Sequence, residues 1–272
     1  MRSTIKLITA CAILSGSLCA VLVAEDATPE DSTYGGSKPP RAEAVFTEHP
    51  PVIDGVWNEE EWAAAKPVFF TAPEKKDVAP VPPCEVRFLW TNEGVYVAFR
   101  VIDTTPAFGN FKPGEPLYQE DAFEMFIDQI GDHKQFYEIQ MDPAGQLYFR
   151  NNILTAPPRI TPQKRLTPEF GEKELWRYDL PKPDGFQIAS KVDPATHVWT
   201  MEVFFPAAFV NKRRGGAPMV PCTWRLNLAR HDWDLPKTEA KRKVKFMYWS
   251  PVLPGHPHLS PYAMGWLDFV KP

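Results

Sequence analysis

Glu124 and Glu138 are the residues whose type and spacing first raise a question of chemistry. They lie in the stretch 118–152, YQEDAFEMFIDQIGDHKQFYEIQMDPAGQLYFRNN. Two carboxylates on neighbouring strands suit two tasks. As an acid and nucleophile they would hydrolyse a glycoside, at about 5–5.5 Å for retention or about 6.5–9.5 Å for inversion. As acceptors they would take hydrogen bonds from the hydroxyls of a bound polyol. Gln140 and Arg150, nearby in sequence, offer two-pronged hydrogen bonding of the kind either task needs.

Strands must hold these groups. Three apolar-rich runs are separated by Gly131-Asp132-His133-Lys134 and Asp142-Pro143-Ala144-Gly145, the punctuation of an antiparallel meander. Side chains alternate across a strand. Phe123, Met125 and Ile127 therefore share a face, as do Tyr137, Ile139 and Met141, and Leu147 and Phe149. The opposite face collects Glu124, Glu138, Gln140, Tyr148 and Arg150. A one-residue slip would bury the charges, so the partition is firm. The polar face is expected to greet a polyhydroxylated ligand.

The rest of the chain supplies more strands. Hairpin strands are expected over 85–90 and 95–102, and further strands over 185–191, 197–205, 223–231, 243–249 and 265–270. Over 223–231, Trp224, Leu226 and Leu228 oppose Arg225, Asn227 and His231. Residues 51–57 read as a short strand and an Asp54-Gly55 turn, followed by one or two helical turns carrying Glu59, Glu60, Glu61 and an inward Trp62. That turn is structural, with calcium ligation by its carboxylates the alternative. A short helix starts at Ala207. Residues 104–117 are a Pro- and Gly-rich loop, and 155–185 a long loop with Trp176 and Tyr178. Trp57, Trp62, Trp90, Trp199, Trp224 and Trp266 are assigned to packing, while Tyr118, Trp176, Trp233 and Trp249 lie by loops where a ring could stack on a sugar. About ten short strands, minor short helices and 30 prolines imply an all-β fold, an antiparallel sandwich or jelly roll.

The 272 residues suit one large domain with additions, and the net charge of −4 carries no long single-sign run. No nucleic-acid partner is expected; the basic cluster over 237–245 is a solvated loop. Arg2 and Lys6 precede an apolar run ending at Ala24, so residues 1–24 resemble a secretory signal, 25–45 a flexible leader, and 46–272 the folded domain. A lipobox at Cys11 is the less favoured reading. An exported location, periplasmic or extracellular, follows, with no membrane-spanning segment after the signal. Cys84 and Cys222 each precede a strand. With their strand starts adjacent, they would form one disulfide in an oxidising compartment, two buried free thiols being the alternative. His256, Pro257 and His258 are placed in an exposed loop, with metal binding the less favoured reading.

The order of motifs is itself informative. Ile53-Asp54-Gly55 leads an acidic segment with Trp62. The hairpin Val86-Arg87-Phe88-Leu89-Trp90 and Val95-Tyr96-Val97-Ala98-Phe99 follows. Then come Asp121-Ala122-Phe123-Glu124-Met125-Phe126-Ile127-Asp128, Phe136-Tyr137-Glu138-Ile139, Trp199-Thr200-Met201-Glu202-Val203, Trp224-Arg225-Leu226-Asn227-Leu228-Ala229-Arg230 and Gly265-Trp266-Leu267-Asp268-Phe269. Together, over roughly 45–270, these resemble the family 9 carbohydrate-binding module in a stand-alone exported form, a sandwich related to DOMON domains.

The resemblance implies non-catalytic binding of a glycan or oligosaccharide, in polysaccharide or oligosaccharide use, with structural calcium. It implies ligand-binding roles for Glu124, Asn227 and Arg150. The first clamp aromatic falls on Tyr118 rather than Trp, and the second on Arg230 or Trp233. The expected ligand set is Tyr118, Glu124, Glu138, Gln140, Arg150, Asn227, Arg230 and Trp233. A DOMON relative could hold haem between Met and His, but Met125 and Met141 lie on the core face and His231 on the polar one, so haem is not expected. A hydrolase using Glu124 and Glu138, or a surface domain without a ligand, are the alternatives.

Overall fold

The computed structural model describes residues 38–70, 82–112, 114–155, 175–234, 236, 238–250, 258 and 261–271. The proposed signal and most of the leader lie outside these residues. Thirteen strands follow in order: β1 (Arg41–Phe46), β2 (Val68–Phe70), β3 (Cys84–Thr91), β4 (Gly94–Ile102), β5 (Ala122–Asp128), β6 (Gln135–Met141), β7 (Leu147–Leu154), β8 (Leu175–Leu180), β9 (Gln187–Asp193), β10 (Val198–Pro206), β11 (Thr223–Trp233), β12 (Val244–Tyr248) and β13 (Gly265–Val270). One four-residue helix, α1 (Ala207–Val210), follows β10.

The strands hydrogen-bond in the order β8-β7-β6-β5-β11-β13-β1-β3-β4-β10-β9, with β12 also on β11 and β2 on β3. Most neighbours are antiparallel; β1 runs parallel to both β13 and β3. This ribbon is folded over on itself as a sandwich. Phe99 of β4 and Phe123 of β5, which are not sheet neighbours, stack with centroids 4.5 Å apart. The alternating apolar residues of both halves meet in one core: Val86, Phe88 and Trp90; Val97, Phe99 and Val101; Phe123, Met125 and Ile127; Tyr137, Ile139 and Met141; Trp199, Met201 and Val203; Trp224, Leu226 and Leu228. The all-β sandwich with minor short helices is the fold the patterning implies.

Several local expectations are revised. The sheet begins at Arg41, so residues 41–45 belong to β1 rather than to a leader. Residues 51–57 form no strand, and 58–65 make turns rather than a helix. Trp62 is nevertheless buried, and Glu202 of β10 organises the segment. One Glu202 oxygen accepts the Trp62 indole N–H at 2.9 Å, and the other accepts the Asp54 and Gly55 amides at 3.1 and 3.0 Å. Gly55 has φ +77°, the left-handed conformation that glycine adopts without strain. Glu59 is engaged by Arg87 at 3.1 Å and Arg100 at 2.8 Å, and the turn forms no three-ligand cluster among the described residues.

Residues 175–180, expected in a loop, are the edge strand β8. Its signal was weak because both faces are wet: Trp176 and Tyr178 are exposed, and Arg177 and Asp179 face the other way. Trp249, expected by a loop, packs against the core. Trp57 and Trp266, assigned to packing, are half-buried and capped by Arg100 at 4.2 Å and Arg225 at 3.8 Å.

The Cys84–Cys222 disulfide is not formed; both thiols are free. Topology explains it. Strands β13 and β1 intervene between β11 and β3. Since β11 is antiparallel to β13, and β13 and β3 are both parallel to β1, β11 runs opposite to β3. The two strand starts therefore lie at opposite ends.

Candidate functional site

The polar groups singled out above sit on the outer face of β5, β6, β7 and β11, as the alternation requires. Register sets their spacing. Glu124 lies opposite Gln140, Gln140 opposite Tyr148, and Glu138 opposite Arg150. Glu124 and Glu138 are thus diagonal neighbours on adjacent strands, and Gln140 stands between them.

Gln140 ties the pair together. Its amide donates to Oε1 of Glu124 at 2.9 Å and to Oε1 of Glu138 at 2.7 Å. Its carbonyl oxygen accepts the backbone N–H of Leu117 at 2.7 Å and of Tyr118 at 3.1 Å. Those two donors fix which way the amide points. The second carboxylate oxygens each face an imidazole: Glu124 Oε2 lies 3.1 Å from His231 Nε2, and Glu138 Oε2 lies 2.8 Å from His258 Nε2. Asn152 also donates to Glu138 Oε2, at 3.2 Å. Burial would raise the Glu138 pKa, but the charges of His258 and Arg150 outweigh it and hold the carboxyl well below its usual range.

This face is not open to solvent, contrary to expectation. Glu124 and Glu138 are each 2% exposed, and Gln140 and Asn227 are buried too. Two apolar clusters share the face. Phe126 and Phe136 pack with Leu154, Leu175, Ala229, Met264 and Tyr248; Leu117 packs with Ala122 and Tyr148. The sequence held this signal: Phe126 and Phe136 alternate onto the polar face, and two phenylalanines there need a cover.

The remaining candidates separate. Arg150 donates to Asp179 of β8 at 3.0 Å and lies over the Tyr148 ring; the Tyr148 hydroxyl donates to the same carboxylate at 2.6 Å. Asn227 is tied to Ser250, whose N–H it accepts at 2.9 Å. Tyr118 is 43% exposed at the edge of the face. Its carbonyl accepts the Trp233 indole N–H at 3.0 Å, so the two aromatics form one rim. Arg242 covers one face of Trp233 at 3.8 Å, leaving only the other for stacking.

Arg230 does not belong to this set. It is three residues after Asn227, an odd offset, and so points to the opposite face. There it is fully buried between Asp103 at 2.8 Å and Asp232 at 3.1 Å. Asp103, Asp121 and Asp232 each offer a carboxylate oxygen within 4.8 Å of the others. Burial and the neighbouring Asp103 raise the Asp121 pKa. An all-oxygen donor set of this kind fits calcium.

His258 was expected in an exposed loop and is instead half-buried on Glu138, its ring edge-on to Phe126 at 5.3 Å. His231 was legible on the polar face by parity. Asn152 and Asp179 were missed as site residues, the latter because β8 was not recognised. The arrangement can accept and donate hydrogen bonds to hydroxyls and can hold a cation. The Gln140 amide stands between the two carboxylates and is bonded to both.

Residues 52–164 match the family model described as "Carbohydrate family 9 binding domain-like". No curated protein matches the chain. Among solved structures, a family 9 carbohydrate-binding module from Caldicellulosiruptor kristjanssonii in complex with cellotriose is 13% identical, with a TM-score of 0.55, covering 85% of this chain and 94% of that one. The glucose complex of a family 9 module from the same organism gives 13%, 0.54, 85% and 96%. A Bacteroides uniformis protein, provisionally described as carbohydrate-binding, gives 14% and 0.60, covering 86% of this chain and all of that one. The chain thus resembles the family 9 carbohydrate-binding modules, in sequence over residues 52–164 and in fold across its sandwich.

Proposed function

We propose that the chain is an exported, non-catalytic carbohydrate-binding protein. The observation that carries this reading is the aromatic rim of the half-exposed Tyr118 and Trp233, joined through the Tyr118 carbonyl at the edge of the polar outer face of β5, β6, β7 and β11. A partly exposed ring stacks on a pyranose C–H face, and the half-buried Arg150 on the same outer face can donate to hydroxyls. Arg150 and Asn227 extend the same face. The neighbouring solved structures hold cellotriose and glucose, which supports a glucan-type saccharide. Calorimetric titration with glucose, cello-oligosaccharides and xylo-oligosaccharides tests it. Binding is expected, weakened at least tenfold in Tyr118→Ala with the melting temperature unchanged. Absence of heat with every sugar would sink the proposal.

Structural calcium belongs to the same reading, and Asp103, Asp121 and Asp232 would hold it, supplying oxygen ligands only. Chelation should then lower the melting temperature, and added calcium should restore it. No helix among the described residues is long and apolar enough to cross a membrane; export rests on residues 1–24 alone.

A further inference from the structure

We infer that Glu124, Glu138 and His258 bind a divalent transition-metal ion of the zinc class, a site separate from the all-oxygen cluster around Asp121.

Three observations carry this. The first is geometry. One ligand atom from each of the three residues lies within 4.8 Å of the others. Ligand distances of about 2.0–2.2 Å in a tetrahedral zinc site put ligand atoms about 3.4 Å apart. Shifts of at most about 1.4 Å therefore close the set, the His258 Nε2–Glu138 Oε2 pair at 2.8 Å opening slightly to admit the ion.

The second is charge. Glu124 and Glu138 are buried with their carboxylates adjacent. Arg150 is the nearby fixed cation, and it is already paired with Asp179 at 3.0 Å. The two buried glutamates thus have beside them one guanidinium that is already committed to a third carboxylate. A divalent ion placed between them balances carboxylates that are costly to bury unpaired.

The third is orientation. Gln140 spends its amide on the Oε1 atoms of both glutamates, and its own carbonyl is pinned by the Leu117 and Tyr118 amides. That leaves Glu138 Oε2 turned toward His258, while Glu124 Oε2 faces His231 at the margin of the set. Around bound metals, carboxylates are held in place by this kind of outer hydrogen bond. Phe126 packs edge-on against the His258 ring and steadies it. The mixed set of imidazole nitrogen and carboxylate oxygen favours zinc and its neighbours over calcium or magnesium. Three protein ligands leave one position for water or a ligand hydroxyl.

The site does not depend on the carbohydrate reading, so its test contains no sugar. The full chain, purified without a polyhistidine tag and stripped with a chelator, is titrated with Zn²⁺ by calorimetry and with Co²⁺ by visible absorbance. The expected result is one ion per chain with Kd below about 10 μM, and Co²⁺ bands of a tetrahedral or five-coordinate site. His258→Gln and Glu138→Gln should each weaken binding at least about 100-fold, whereas His49→Gln, an exposed histidine elsewhere, should not. Because Glu138 is buried, its variant is checked by its melting curve; His258 is half-buried on the outer face, and its variant decides the matter if Glu138→Gln fails to fold. No saturable binding, or binding unchanged in His258→Gln, overturns the proposal. Sugar titrations with and without Zn²⁺ then report on the carbohydrate site separately.

Discussion

Glu138 and His258 meet at 2.8 Å across 120 residues of chain. Together with Arg150, His258 keeps a carboxylate ionised where burial alone would neutralise it. The folded-state pKa is depressed, so the stability this group contributes is present above its unfolded value of 4.5 and is lost as pH falls through the folded value. In chelator-treated protein, acid unfolding below about pH 4.5 should be less steep in Glu138→Gln than in the parent. Urea melts at several pH values measure this. Equal slopes would show that Glu138 is not titrating.

Gln140 supplies both hydrogen bonds that keep Glu124 and Glu138 together. Gln140→Glu replaces a shared donor with a third buried carboxylate. A loss on the order of 3–5 kcal/mol is expected near neutral pH, with partial recovery in mild acid as one carboxyl takes up a proton. Gln140→Ala, which removes the bridge without adding charge, should cost less. Denaturant unfolding at pH 7 and pH 5 tests the order of the two.

Cys84 is buried, and burial pushes its thiol up to about 12. Burial also raises the half-buried Cys222. Neither thiol is a good nucleophile in that state. The melting temperature should therefore be the same with and without reductant. In native protein, a thiol reagent should react slowly with Cys222 and more slowly still with Cys84, and both should react at once in denaturant. A reductant-sensitive melting temperature would point to a bond between them.

Phe99 stacks on Phe123 and meets Trp199 edge-on at 4.8 Å, joining the two halves of the sandwich. Phe99→Ala should cost about 3–5 kcal/mol, the usual range for removing a fully buried phenylalanine. Phe69→Ala, at an exposed ring on β2, should change little. A comparable loss at both positions would contradict the assignment of the core.

Much of this protein was determined by sequence alone. Alternation is local, so the faces of β5, β6, β7 and β11 could be separated without knowing what lay beyond them: Phe123, Met125 and Ile127 to the core, Glu124 and Glu138 away from it. The expected ligand set nonetheless joined Arg230 to Asn227, although their odd offset on β11 sets them on opposite faces, and the structure buries Arg230 between Asp103 and Asp232. Tertiary structure decided everything that depends on who stands next to whom. The outer face is buried because distant segments bring Leu117, Tyr248, His258 and Met264 over it. Cys84 and Cys222 stay apart because two strands inserted between β3 and β11 set their directions opposite. The edge strand β8 and the ion pair of Asp179 with Arg150 depend on pairing with β7. Periodicity fixes which way a side chain points; long-range sheet order fixes what it meets, and no local window of sequence contains that order.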